Sequence, residues 1–394
     1  MRDKLMATLD ARREEMIEIR RYLHAYPELS YQEEETAAYI AAFYQDKAAT
    51  LETNVGGNGV VVTITGGKFG ETLALRADFD ALPVEEETGL PFASKNKGVM
   101  HACGHDAHTA YLMVLAECLI ELKDEIPGTI KIVHQHAEEV PPGGAKYMME
   151  SGVLNDVDHI IGIHVMPDYP VGIVAYRSGA AMAGGAKFKI AIRGIGGHAS
   201  TPHKSNDAIV AGSYFVTALQ TVISRRLNPF EVGTVTVGSF EGKGAFNVIK
   251  DAVIIEGDMR YMKEATFELL NSEVARLAKG LEEMFAVQTT MTVEEGCPSV
   301  FNDPELTSSV VDYLENGLDD YLKEVVETPM QMANEDFAYY SQKIPSCFFF
   351  VGCQPKGKKT YYDNHHPKFD VDEDTIMVAA KAVGDVVCGY FALD

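Results

Sequence analysis

Basic charge is scarce in this chain: 34 Lys and Arg stand against 58 Asp and Glu in 394 residues, a formal net charge of -24. Nucleic acid and anionic membrane both call for a basic surface, so this balance argues against either as a partner. Cysteine is sparse as well. The six cysteines, at positions 103, 118, 297, 347, 353 and 388, form no C-x-x-C pair and no dense framework, a usage that suits a reducing compartment and predicts a cytoplasmic protein. No apolar run is long enough for a bilayer, because the longest uncharged stretch, Ala208 to Ser224, is short and carries Gly, Ser, Thr and Gln. Met1 to Arg21 mixes charges of both signs with Leu5, Leu9, Met16 and Ile19, which reads as an amphipathic helix without the apolar centre of a signal peptide. Internal repeats and low-complexity linkers are absent too.

What is present is material for two cores: 46% of the residues are hydrophobic, and the length exceeds that at which a single core keeps growing. Helical texture up to residue 50 breaks at Pro27-Glu28, and Ser30 with Glu33 has the spacing of a capping box for a helix starting near Ser30. Short β-branched runs at Val60 to Ile64 and Thr72 to Arg76 read as strands. Helix, strand, helix and strand then alternate through Tyr111–Lys123, Gly128–His134, the segment opened by Gly143-Gly144, and Ile160–Val165, the pattern of a three-layer α/β domain with a mainly parallel sheet. From residue 185 the order becomes strand, helix, strand, strand, helix, strand, which is that of a ferredoxin-like sandwich. The expected organisation is therefore α/β, with residues 1-184 and 297-394 forming one domain and residues 185-296 an inserted α+β domain.

Chemistry is concentrated in His101-Ala102-Cys103-Gly104-His105-Asp106-Ala107-His108, where three imidazoles, a thiol and a carboxylate fall within eight residues. Imidazole and thiolate are favoured ligands of zinc and its neighbours. Glu138-Glu139, His164 and His365-His366 also sit at strand ends or in following loops, so with Cys103 and His105 they can converge on one edge of one sheet. Singly, His164 could be a hydrogen-bonded core residue and Glu138-Glu139 a solvated turn. Together they suit metal-assisted hydrolysis, in which one glutamate binds metal and the other serves as general base. Cys103 as a nucleophile paired with His105 is the competing chemistry. In the inserted segment, His198 lies on a Gly-rich loop, while Asn247 and Arg260 frame a hairpin whose arginine could capture a carboxylate or form a surface salt bridge.

These residues resemble the co-catalytic metallo-amidohydrolases and carboxypeptidases of the aminoacylase and carboxypeptidase G type, and within them the hippurate hydrolase branch. The resemblance runs through Arg20 to Glu28, Arg76-Ala77-Asp78-Phe79-Asp80-Ala81-Leu82-Pro83, the His101 to His108 stretch, Glu138-Glu139, Gly197-His198-Ala199, Glu335-Asp336-Phe337-Ala338 and His365-His366-Pro367-Lys368-Phe369. It implies a catalytic α/β domain interrupted by a ferredoxin-like lid that serves homodimerisation. It implies two divalent ions per subunit (Zn, Mn, Co or Ni) held by Cys103, His105, Glu139, His164 and His365. Glu138 would be the general base. His198, supplied to a neighbouring subunit, would polarise the scissile carbonyl, and Asn247 and Arg260 would hold the substrate carboxylate. The implied activity is deacylation of small N-acyl-L-amino acids, with N-acetyl-diaminopimelate deacetylation, dipeptidase or carboxypeptidase action, or a non-catalytic metal- or ligand-binding dimer as the alternatives.

Overall fold

The computed structural model describes residues 1–357 and 361–393. It divides into two compact units, one comprising Met1–Ala181, Val300–Met330 and Asp336–Asp394, the other Met182–Ser299 and Gln331–Glu335.

The first unit is built on an eight-stranded mixed sheet whose spatial order is 50–55, 59–65, 127–135, 68–78, 159–170, 346–354, 173–176 and 324–327. Its four central strands, Pro127–Gln135, Lys68–Asp78, His159–Pro170 and Ser346–Gln354, run parallel to one another. Burial is near-continuous along Ser346–Gln354 and the C-terminal half of Lys68–Asp78, as in strands covered on both faces. Parallel strands end on the same edge, and loops leaving that edge are where a site can form.

The helix His105–Glu121 buries every residue except Glu117 and Glu121. An all-round apolar helix belongs in the interior, and this one packs against the helices Arg13–Ala25 and Asp374–Tyr390 and the strand Lys68–Asp78. Glu117 is the hydrogen-bond partner of both Arg12 and Lys47. The capping-box expectation at Ser30 is overturned. The helix begins at Glu34, Glu33 occupies the N-cap position without a side-chain cap bond, and both Ser30 and Glu33 turn inward.

The second unit is a four-stranded antiparallel sheet ordered 233–241, 252–261, 184–193, 288–295. With the helices Ala208–Thr221 and Glu264–Phe285 it forms a ferredoxin-like sandwich. Phe188, Ile190 and Ile192 alternate inward against Phe215, Leu219, Leu270 and Val274, while Lys187 and Lys189 point out. Asp207 caps the first helix by accepting from the Ile209 and Val210 amides. That helix ends in α form at Thr221 and closes with a π turn over Val222–Arg226. Gln331–Glu335 joins this unit because the Ala183 amide donates to the Gln331 carbonyl at 2.9 Å and Asn334 Nδ2 donates to the Ala183 carbonyl at 2.9 Å. That excursion comes from far along the sequence, so local pattern cannot reveal it.

Candidate metal centre

Backbone turns at the C-terminal edge of the first sheet bring the donors together. Gly104, at φ 92°, turns the chain into the His105 helix, and a Cβ there would lie 2.3 Å from Val165 Cγ2, so only glycine fits. Ala137, at φ 51°, turns the chain from Gln135 into Glu138-Glu139. His164 stands on the strand His159–Pro170, and His365 is held to the Cys103 segment by its amide, which donates to the Ala102 carbonyl at 2.7 Å.

Three sets of donor atoms, each mutually within 4.8 Å, result: Cys103, His105 and His164; Cys103, Glu139 and His365; and His105, Glu138 and Glu139. The first two share Cys103. Its Sγ is 3.3 Å from His164 Nε2, and Glu139 Oε1 is 3.3 Å from His365 Nε2 and 3.8 Å from His105 Nε2. His365 reaches this cluster, whereas His366 stacks on Tyr362 at 4.4 Å and accepts the Lys368 amide.

The imidazoles are oriented from behind. His105 Nδ1 faces the carbonyl and carboxylate of Asp80 at 3.0 and 3.2 Å, and His164 Nδ1 faces the Val165 carbonyl at 2.7 Å, so each presents Nε2 to the cluster. Asp80 is itself fixed by Ser30 Oγ at 2.6 Å and the Glu139 amide at 3.0 Å. A further group of Asp78, His105 and His108 has the right residue types for metal. Both His108 nitrogens are already engaged, however, Nδ1 with Asp78 Oδ1 at 2.6 Å and Nε2 as acceptor of the Val165 amide at 2.9 Å. Asp106 belongs to another buried pairing, with Arg20 at 3.1 Å and His24 at 2.9 Å.

Two buried atoms show that a cation fits here. His105 Nε2 and Glu139 Oε1 make no well-aligned hydrogen bond among the described residues, the His365 contact at 3.3 Å included, although each is a strong donor or acceptor facing the cluster. Buried polar groups left this way are costly unless another group completes them. Electrostatics agree. Burial lowers the His105 imidazole's affinity for a proton, but Asp78, Asp80 and Glu139 outweigh it and raise its pKa to about 10. Burial, with Glu139 and Glu138 adding to it, pushes the Cys103 thiol well above its usual value. The local charge is short of a cation that thiolate, imidazole and carboxylate together would hold, a donor set that suits zinc and its neighbours better than magnesium or calcium.

Glu138 and Glu139 share the set with His105 but differ in their other neighbours. Glu139 belongs to the sets with Cys103 and His365, while Glu138 Oε1 accepts the Asp336 amide at 3.4 Å. Behind them lies a buried network that the sequence reading left without a role. Arg76 donates to Gln135 at 2.8 Å, Asp78 at 2.7 Å and Asp336 at 2.9 Å, and Gln135 Nε2 also donates to Asp336 at 2.7 Å. The motif Arg76 to Pro83 and the pair Glu335-Asp336 were the available signals.

In the second unit, His198 is exposed, with Nδ1 accepting from Ser200 N and facing Ser200 Oγ at 2.7 Å. Asn247 is its neighbour, because its carbonyl accepts the Ala199 amide at 3.0 Å and strand 248–249 pairs with 197–198. Arg260 is partly buried, and its Nε donates to Asp258 at 2.7 Å.

A family model described as "Peptidase family M20/M25/M40" matches residues 74–388. A solved structure, the "putative aminohydrolase" of methicillin-resistant Staphylococcus aureus, superposes with a TM-score of 0.95 at 55% identity, covering 99% of this chain and 100% of that one. The N-acetyl-L-cysteine deacetylase of Bacillus subtilis (strain 168) is 39% identical over 93% of this chain and 86% of its own. The Bacillus subtilis YXEP protein, described as "a Dinuclear Metal Binding Peptidase from M20 Family", superposes with a TM-score of 0.84 at 31% identity over 98% of this chain and 100% of its own. Sequence and fold together place the chain in peptidase family M20/M25/M40, as a metal-dependent amidohydrolase.

Proposed function

We propose that the chain hydrolyses the amide bond of N-acyl-L-amino acids. The observation that carries this reading is Glu138, a carboxylate that shares a donor set with His105 and Glu139 but belongs to neither of the two that contain Cys103. Cys103, His105, Glu139, His164 and His365 would hold two divalent ions, drawn from Zn, Mn, Co and Ni. When bound, such ions supply Lewis acidity toward the amide carbonyl and lower the pKa of water. Glu138 takes one proton from the attacking water as its oxygen adds to the carbonyl carbon. It then delivers that proton to nitrogen as the C–N bond breaks, leaving a carboxylate and a free amino acid. His198, with Nε2 turned away from its Ser200 contact, would donate to the carbonyl oxygen in the active site of a second copy of this chain, and Asn247 and Arg260 would hold the substrate's carboxylate. Six buried cysteines, none in a disulfide among the described residues, suit a cytoplasmic setting for this chemistry. The N-acetyl-L-cysteine deacetylase relative supports an N-acyl substrate.

The test is turnover of acetyl- and benzoyl-amino acids by metal-loaded protein, with free-amine dipeptides alongside. Blocked amino acids should be cleaved in preference to dipeptides. Glu138→Gln should cost about 10²- to 10⁴-fold in kcat, the usual worth of a positioned general base. Hydrolysis that survives this substitution would remove Glu138 from the role.

A further inference from the structure

The segment 28–33 touches the site from both sides. Leu29 bridges Ala81 in the chain leaving the strand Lys68–Asp78, and Ser30 Oγ donates to Asp80. On the other side, Tyr31 Oη donates to the Val140 carbonyl at 3.1 Å and accepts the Gly143 amide at 3.2 Å. Glu33 makes the innermost contact. Its Oε1 accepts the Ala137 amide at 2.8 Å and its Oε2 accepts Asn58 Nδ2 at 3.0 Å, with the residue wholly buried.

Ala137 is the left-handed residue that aims Glu138 and Glu139. A non-glycine residue holds such a conformation only where its surroundings impose it. The Ala137 carbonyl is engaged by the Gly144 amide at 2.9 Å, so Glu33 supplies the matching grip on the amide side. Burial pushes the Glu33 carboxyl up to about 7 against the pull of the Asn58 hydrogen bond. A carboxylate so expensive to ionise is poor stabilisation for a helix N-terminus, and its reach to Ala137 accounts better for its presence.

We infer that Glu33 is a positioning residue for catalysis, clamping the left-handed turn at Ala137 so that the Glu138 carboxylate is held at the reacting water. The inference rests on the reading of Glu138 as general base. Glu33 touches no substrate. It acts through one backbone amide, and a misplacement of a catalytic group by about 1 Å is enough to cost on the order of 10²-fold in rate.

Three substitutions separate reach from charge. Glu33→Met removes the acceptor, Glu33→Asp keeps the charge but falls short by one methylene, and Glu33→Gln keeps an acceptor at the same reach. On the best N-acyl-amino acid substrate, kcat should fall about tenfold or more in Met and Asp with KM within about twofold, and stay within about threefold of wild type in Gln. In the metal-free protein, amide exchange at residue 137 should speed up in Met and Asp and remain slow in Gln. Should Glu33→Met fail to fold, Asp against Gln decides the same question. Wild-type kcat in Asp or in Met would overturn the inference, as would a Gln variant as impaired as Asp. Glu138→Gln run in parallel keeps the two ideas apart: if it is active, the general-base reading has failed, whereas an inactive Glu138→Gln beside a fully active Glu33→Asp refutes only the clamp.

Discussion

Replacing Arg76 with methionine should be among the most damaging single substitutions available in the first unit. The guanidinium is fully buried and divides its donors among Gln135, Asp78 and Asp336, the two carboxylates lying 2.7 and 2.9 Å away. Methionine fills much of the volume but leaves two buried carboxylates without their cation. Neither is stripped bare: Asp78 keeps His108, and Asp336 keeps Gln135 and the Ala145 amide. The cost should therefore be that of one broken buried ion-pair system, about 3–5 kcal/mol, and not twice that. For a body of this size, about 2–4 °C of melting temperature accompanies each kcal/mol, which gives a loss of roughly 6–20 °C. Thermal unfolding followed by circular dichroism measures it. Adding Asp336→Asn to Arg76→Met removes one of the stranded charges and should recover part of the loss, a non-additivity expected of groups in contact. A melting temperature within about 2 °C of wild type for Arg76→Met would show that the network is not held together as described, since a change that small amounts to about 1 kcal/mol or less.

Metal uptake should be coupled to proton release. In the metal-free protein the Cys103 thiol and the His105 imidazole, at about 10, both keep their protons at pH 7, and binding must displace them, so the logarithm of affinity should rise by about two per pH unit between pH 6 and 8. Titration with zinc or cobalt at several pH values tests this, and a pH-independent affinity would remove both residues as ligands. His24 offers an effect of the opposite sign. Burial lowers its pKa, but Asp106 and Glu86 outweigh burial and hold it at about 9. Its contribution is fully present below the unfolded value near 6.5 and disappears as pH rises through 9. His24→Asn should thus lose about 3 kcal/mol at pH 6 and much less at pH 10, and equal losses at both would contradict the pairing.

Some of this was legible in one dimension. Periodicity marked the strand and helix order of the ferredoxin-like unit, because one face of each element is buried and alternation records that directly. Residue chemistry singled out Cys103, His105, Glu138-Glu139, His164 and the pair His365-His366, because soft donors and paired carboxylates at strand ends are poorly explained by folding alone, and the resemblance pointed to His365 within that pair. Less was legible where a residue's partner lies far along the chain. Ser30 and Glu33 have helix-capping spacing, yet their side chains meet Asp80 and Ala137. The difference between them and true caps is set entirely by what packs against the segment.

Composition and spacing alone determined the class of chemistry, a thiolate, imidazole and carboxylate set beside a spare glutamate, together with the layered α/β scaffold able to carry it. Only the tertiary structure shows what distinguishes the members of each pair physically. His365 reaches Glu139 while His366 stacks on Tyr362, and His105 presents a nitrogen that His108 spends on Asp78 and Val165. Adjacent and near-adjacent residues are chemically equivalent in a sequence. They become different when parallel strands end at one edge and the buried groups behind them, Asp80 and Arg76 among them, fix which donor atoms remain to meet a cation.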